Sequence, residues 1–153
     1  MHRSLYRRFP EAAEDRPSPE AKQAMAAIVG LLGGRDEDLS ALPVDLSALA
    51  EFEQRVLEMT RRIPLGETRT YGELAATLGS AGAARAVGRA LGRNPVPIIV
   101  PCHRVLAASG RSGGFSAPGG VTTKMKMLRI ERARRTAAAE LFQDLPLAMR
   151  PRP

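Results

Sequence analysis

The single cysteine of this 153-residue chain, Cys102, is followed directly by His103. A thiolate is the reactive form of cysteine, and a nearby imidazole or the start of a helical turn, such as Pro101 could begin, lowers the thiol pKa. Adjacent residues do not face each other in a helix or a strand, so His103 would act through a water or an irregular backbone. The pair is compatible with a nucleophile, but most single cysteines are buried, inert side chains, so the residues by themselves leave both interpretations open.

A second candidate for chemistry is a row of arginines. Arg85, Arg89 and Arg93 recur every four residues and therefore lie along one face of a helix. Like charges at this spacing repel each other, so an anion is expected to offset them. The other positions from Ala83 to Ala90 are alanine, glycine or valine, and such small side chains let a backbone approach a groove closely. The row predicts contact with DNA, and a solvated basic face is the alternative.

Two short helices are expected to present these arginines. Thr70 and Glu73 match a capping box, which begins a helix that Gly79 closes. The second helix is predicted from about Gly82 to Leu91, and it ends before Asn94-Pro95 because a residue before proline resists the helical conformation. A tight turn joins the two, and the pattern predicts a helix-turn-helix.

Longer elements surround this pair. One helix is predicted from Ser18, its N-cap, to Gly33, and a core helix is predicted between Ser47 and Pro64. Their expected buried faces are Met25, Ile28 and Leu32 in the first, and Leu49, Phe52, Val56, Met59 and Ile63 in the second. Downstream, the patterns predict an apolar segment Ile98–Val100 that crosses the interior, a loop Ser109–Gly120, and a helix Thr122–Arg135 with Met125, Met127 and Leu128 facing inward.

The charge distribution divides the chain into three parts. Residues 1–46 hold 6 basic and 8 acidic side chains, residues 47–135 hold 15 and 6, and residues 136–153 hold 2 of each. We therefore expect a short N-terminal segment with one helix, a middle domain that binds an anion such as DNA, and a loosely held C-terminal tail. A single cysteine excludes a disulfide framework, and with two histidines it leaves no plausible zinc ligand set. A cytoplasmic monomer without membrane spans is expected.

The segment Asn94-Pro95-Val96-Pro97 followed by Pro101-Cys102-His103-Arg104-Val105 resembles the active-site signature of the O6-alkylguanine-DNA alkyltransferases. These proteins repair DNA by moving an alkyl group from guanine O6 onto their own cysteine. The similarity extends from about Phe52 to Glu131, through Gly66–Ala75 and Ala83–Gly88. It implies an α+β, mainly helical fold: a helix-turn-helix, winged-helix-like C-terminal domain after a short N-terminal helical segment.

The resemblance also implies roles for individual residues. Cys102 would accept the alkyl group, His103 would act as its base through a water, and Glu131 would orient that histidine. Asn94 would brace the active-site turn, and Tyr71 would assist the leaving guanine. Arg85 would replace the extruded nucleotide in double-stranded DNA, which a helix entering the minor groove would hold open. The remaining implied residues are Arg89, Arg93, Ala84 and Thr70 for DNA, and Val105, Phe115, Ser116 and Pro97 for the guanine pocket. No cofactor or metal is implied.

This sequence departs from the family pattern at three places. Phe115 stands where many members carry tyrosine, Ala117-Pro118 is a small insertion, and 46 residues are too few for the α/β domain that usually precedes this region. Three other functions stay open: a non-reacting alkyltransferase-like lesion-binding protein, a helix-turn-helix regulator and, least favoured, a cysteine hydrolase. Relatives of the first kind typically have tryptophan at the nucleophile, so Cys102 argues against it.

Overall fold

The first helix, α1 (Pro19–Leu32), begins where the sequence predicts in the computed structural model, which describes residues 10, 11, 13, 15–108 and 114–133. The Ser18 side chain accepts a hydrogen bond from the Ala21 amide at 3.2 Å, and Pro19 occupies the first turn. The predicted buried face is partly wrong, because Met25 and Leu32 are exposed. The side that packs inward holds Ala24, Ala27, Ile28 and Leu31, against Leu39 and Leu42.

Helix α2 (Glu51–Arg61) lies at the centre of the main core, where Val56 and Leu57 are fully buried. It begins later than the predicted Ser47. The Ser47 amide donates to the Asp45 carboxylate, and the Leu49 amide donates to the Leu46 carbonyl, so these residues form a turn. The predicted stripe is otherwise confirmed: Ile63 is buried, and Leu49, Phe52 and Met59 pack against the core.

The helix-turn-helix is confirmed. Strand β1 (Arg69–Thr70) leads directly into α3 (Tyr71–Thr77), which packs against α4 (Ala84–Gly92). The predicted capping box is present, because the Thr70 hydroxyl accepts from the Glu73 amide and the Glu73 carboxylate accepts from the Thr70 amide. Gly79 has a φ of +70°, in the left-handed region that glycine adopts without strain, and this lets the chain turn sharply after α3.

The segment before Cys102 is a turn and not the predicted extended run through the interior. The Val100 amide donates to the Val96 carbonyl at 3.0 Å, and Ile98 has a φ of +80°. Three neighbouring prolines lack the amide donors that a strand needs, which explains the difference. Only Val100 of the three apolar residues is buried in the main core; Ile98 and Ile99 pack against the cluster of Leu31, Leu39 and Leu42. A 3₁₀ turn (Cys102–Arg104) follows.

The chain then forms strand β2 (Val105–Leu106), which pairs in parallel with β1, and helix α5 (Gly120–Ile130). Helix α5 starts two residues before the predicted Thr122, and Glu131 is its C-cap. Met127 and Leu128 are buried and Met125 is partly buried. The end predicted at Arg135, the tail 136–153 and the first part of the predicted loop, 109–113, lie outside the described residues.

These elements form the mainly helical α+β fold that the sequence predicts, with one small parallel sheet in the described part of the chain. The main core lies between α2, α3, α4 and the segment that carries Val100 and Val105. The fold thereby holds the 3₁₀ turn of Cys102 against the helix-turn-helix. Within the described residues, no helix is both long enough and apolar enough to cross a membrane.

Candidate active site

Cys102 lies at a cleft of about 810 Å³. The cleft opens between helix α4 on one side and the segment around Phe115 on the other. Its lining residues are Tyr71, Gly72, Ala84, Arg85, Gly88, Arg89, Leu91, Gly92, Cys102, Ala107, Ala108, Gly114, Phe115 and Ser116. The 3₁₀ turn begins directly after Pro101, as predicted, and leaves Cys102 partly buried. The single thiol of the chain is therefore within reach of a ligand that enters the cleft.

Asn94 holds the turn that precedes the thiol. Its side-chain amide donates to the Val100 carbonyl at 2.9 Å and accepts from the Val96 amide at 3.0 Å. Burial raises the pKa of Cys102 above its ordinary value, while a hydrogen bond from the Asn94 side chain and the positive charge of Lys124 oppose this rise. Asn94 therefore spans the turn from Val96 to Val100 and also reaches the thiol.

His103 points into a buried polar cluster. Its Nε2 lies 2.9 Å from Glu131 Oε1, and Arg104 donates to the same carboxylate through Nε at 2.8 Å and Nη2 at 2.9 Å. Arg104 also donates to the Ile63 carbonyl, which ties the cluster to the end of α2. Burial by itself raises the pKa of Glu131, but the hydrogen bonds from His103 and Arg104 outweigh it, and the pKa falls to about 2. Glu131 is therefore a carboxylate that fixes the orientation of the imidazole.

Lys124 is the functional candidate that the sequence reading missed. It is fully buried, and its ammonium donates to the Val105 carbonyl at 2.6 Å. The same nitrogen lies 5.7 Å from the ring centre of Tyr71 and 5.9 Å from that of Phe115, within the range of a cation–π contact. Burial lowers the pKa of Lys124 to about 8. The sequence did contain a signal that Lys124 is buried: it lies four residues before Leu128, so both residues fall on the inward face of α5.

Tyr71 and Phe115 form two walls of the cleft. The Tyr71 hydroxyl donates to the Gly114 carbonyl at 3.4 Å, and burial raises the pKa of the phenol. A Cβ at Gly88 would lie 3.8 Å from the Tyr71 ring, an ordinary van der Waals distance, so this position of α4 faces the ring directly. Ser116 lines the same wall as Phe115. The site is therefore mainly apolar, with a few polar groups that converge near the thiol.

Arg85 and Arg89 line the cleft, as does Ala84, whereas Arg93 lies beyond the end of α4 and forms an ion pair with Glu53 of α2. The Thr70 hydroxyl accepts a hydrogen bond from the Glu73 amide as the N-cap of α3. Two residues predicted for the pocket do not line the cleft. Val105 is fully buried because β2 turns it into the main core, and Pro97 is exposed within the turn 94–100.

No group of three or more His, Cys, Asp and Glu side chains within the described residues could hold a metal ion. The groups that surround Cys102 are instead an amide, an ammonium, a phenol and two guanidinium ions at the rim. Such a set suits a nucleophilic displacement by the thiolate on a ligand that carries negative charge nearby.

The chain is similar in sequence to known proteins. A family model described as "6-O-methylguanine DNA methyltransferase, DNA binding domain" matches residues 51–133. The methylated-DNA–protein-cysteine methyltransferase of Mycobacterium bovis is 51% identical over 92 residues, which are 60% of this chain and 54% of that protein. The chain thus covers about half the length of this relative. The protein of the same name from Mycolicibacterium paratuberculosis is 43% identical over 125 residues, 80% of this chain and 74% of that one.

The fold of the chain is also similar to those of solved protein structures. The crystal structure of Mycobacterium tuberculosis OGT in complex with DNA superposes with a TM-score of 0.66 and 42% identity, over 82% of this chain and 76% of that one. The structure of the O6-methylguanine-DNA methyltransferase from the hyperthermophilic archaeon Pyrococcus kodakaraensis strain KOD1 gives a TM-score of 0.64 and 32% identity, over 85% and 73%.

Proposed function

Because this chain belongs to the O6-methylguanine DNA methyltransferase family, we propose that it repairs DNA by direct reversal, moving the alkyl group from O6-alkylguanine to its own Cys102. The observation that carries the proposal is the position of this thiol, which lies at an open cleft with Arg85 and Arg89 on the same surface. A nucleophile and a cationic rim in one cleft suit a substrate attached to a phosphate backbone.

The reaction is a displacement at the alkyl carbon. The Cys102 thiol gives its proton, through a water, to the Nδ1 atom of His103, whose Nε2 is held by Glu131. The thiolate then attacks the alkyl carbon, so that an S–C bond forms and the C–O6 bond breaks. The electron pair stays on the guanine, which takes a proton from Tyr71. The His103 imidazolium and the Tyr71 phenolate then return to their neutral forms by proton exchange with solvent. The thioether product has no leaving group for water to displace, so each molecule reacts once. The proposed reaction uses no cofactor.

The surroundings of the thiol set how reactive it is. Burial disfavours the thiolate, and the ammonium of Lys124 together with the amide of Asn94 favours it. The Glu131 carboxylate, which stays ionised at neutral pH, stabilises the imidazolium that forms at His103. On balance the pKa of Cys102 is raised, so the thiolate depends on the transfer of its proton to His103.

A base must leave the duplex to reach this thiol. We propose that α4 enters the minor groove, where its small residues permit close approach and Arg85 takes the place of the extruded nucleotide. Arg89 contacts a phosphate, and Phe115 and Ser116 form the wall against which the flipped guanine lies. The cytoplasm is the proposed location, since a reducing compartment preserves the free thiol.

Intact-protein mass spectrometry tests the proposal. The full chain is incubated with a duplex that contains one O6-methylguanine, and we expect a mass gain of one methyl group per protein. The gain should be absent with the undamaged duplex and with Cys102→Ser, which preserves the size of the side chain. Tight binding to the damaged duplex without any mass gain would replace the proposal by a non-reacting lesion sensor, and equal binding to both duplexes without a gain would favour a DNA-binding regulator.

A further inference from the structure

The three arginines that recur along α4 have different surroundings in the fold. Arg85 and Arg89 are exposed and line the cleft. Neither forms an ion pair with another residue in the described part of the chain. Arg93 is the C-cap of α4, and its Nη1 is paired with Glu53 Oε1. At Arg93, one of the three positions in the row, the anion that offsets the positive charge is therefore the carboxylate of Glu53 in the protein itself.

Glu53 is a well-held partner for this arginine. Helices α2 and α4 pack against each other, and this contact brings the first turn of α2 beside the end of α4. The Glu53 side chain is only 14% exposed, whereas that of Arg93 is 69% exposed. A carboxylate in the first turn also interacts favourably with the helix dipole. The fold thus fixes the position of the Glu53 carboxylate, and the exposed Arg93 side chain pairs with it.

Two effects oppose a contact between Arg93 and a DNA phosphate. Moving its guanidinium to a phosphate would leave the Glu53 carboxylate without its counter-charge in a largely desolvated position. The carboxylate would then repel the same phosphate. The pair as it stands is neutral and contributes no counterion release when DNA binds.

We propose that Glu53 withholds Arg93 from DNA, so that the row on α4 contributes two cations to the duplex and not three. Glu53 lies on α2, and it thereby sets how many arginines of α4 contact DNA. The inference rests on the proposed binding of duplex DNA by α4.

The salt dependence of affinity counts such contacts, because each neutralised phosphate adds about 0.9 to the slope of log affinity against log salt. The parent protein is the full chain with Cys102→Ser, in which no transfer occurs. Binding to a fluorescent duplex with one O6-methylguanine is measured by anisotropy over a tenfold range of sodium chloride. Arg89→Ala should reduce the slope by about 0.9. The affinity of the parent divided by that of Arg89→Ala should therefore change about eightfold over the tenfold range of salt. Arg93→Ala should leave the slope unchanged.

Removing the carboxylate should have the opposite effect. Glu53→Gln frees Arg93 and should steepen the slope by about 0.9. Arg93→Ala in addition should return it to the parent value. An Arg93→Ala variant whose slope falls as far as that of Arg89→Ala would overturn the inference, as would a Glu53→Gln variant with the parent slope. The double variant Glu53→Gln with Arg93→Ala removes both charges of the ion pair, so it controls for lost packing, and thermal melting verifies that each variant is folded.

The two proposals fail separately. Absence of methyl transfer to the unsubstituted chain, with the slopes as expected, would refute the repair function and leave the role of Glu53 intact. Methyl transfer together with equal losses for Arg89→Ala and Arg93→Ala would refute the role of Glu53 alone.

Discussion

The buried cluster of Glu131, His103 and Arg104 provides the sharpest test of the site's electrostatics. Glu131→Gln retains the shape of the side chain but removes the charge that holds the Arg104 guanidinium and the imidazole. The side chains of His103 and Glu131 are 2% and 0% exposed, so water cannot replace the lost partner. Breaking a buried ion pair on one side typically costs about 3–5 kcal/mol. We expect a loss of this size in the free energy of unfolding at pH 7.

The effect should depend on pH in a defined direction. The pKa of Glu131 is about 2 in the folded protein and has an ordinary value of 4.5. A carboxylate with a lowered pKa stabilises the fold above its ordinary pKa, and this contribution is lost as the pH falls from about 4.5 towards 2. With about 1.4 kcal/mol for each pKa unit, the full contribution is about 3 kcal/mol, and about 2 kcal/mol of it disappears between pH 7 and pH 3.

Urea denaturation followed by far-ultraviolet circular dichroism, at pH 7 and pH 3, measures both quantities. The gap between the unsubstituted protein and Glu131→Gln should narrow by about 2 kcal/mol at pH 3. Glu67→Gln is the matched control, because Glu67 pairs with Arg69 at the surface, and it should change stability by no more than about 0.5 kcal/mol. A loss below about 1 kcal/mol at pH 7, or a gap that widens towards pH 3, would refute this account of the cluster.

Two further variants test the thiol and the duplex contact. Lys124→Met keeps an unbranched side chain, one atom shorter, but removes the positive charge that lowers the pKa of Cys102. The pH midpoint for alkylation of Cys102 by iodoacetamide should therefore move upward, and an unchanged midpoint would show that the ammonium does not act on the thiol. Arg85→Ala should slow methyl transfer from a duplex by about tenfold or more, since only a duplex requires base flipping at a cost of a few kcal/mol. Its reaction with free O6-benzylguanine should be unaffected, and equal losses on both substrates in a mass-spectrometric time course would contradict the role of Arg85.

The sequence was most informative where structure depends on neighbouring residues. The capping box at Thr70 and Glu73 and the N-cap at Ser18 were predicted from residue type and spacing, because each requires only contacts within one helical turn. The motif around Cys102 is equally local, and the family was recognised from it. The helix-turn-helix followed from two such short helices joined by glycine-containing turns.

Predictions failed where the outcome depends on packing between distant segments. Periodicity alone placed Met25 and Leu32 on the inner face of α1, but the position of the Leu39–Leu42 segment decides which side of that helix is covered. Ile98 to Val100 read as an apolar run through the interior, yet the backbone turns there and two of its side chains join the N-terminal cluster.

The charged groups show the same division. Residue types by themselves determined that this chain holds one thiol, a row of arginines and an excess of positive charge between residues 47 and 135. Only the tertiary structure decided which charges are buried and paired: Lys124 against the Val105 carbonyl, Glu131 between His103 and Arg104, and Arg93 with Glu53. The partners in these contacts are 19 to 40 residues apart along the chain. Burial and pairing set the pKa of an ionisable group and its freedom to meet a ligand, and neither can be derived from the residue's neighbours in sequence.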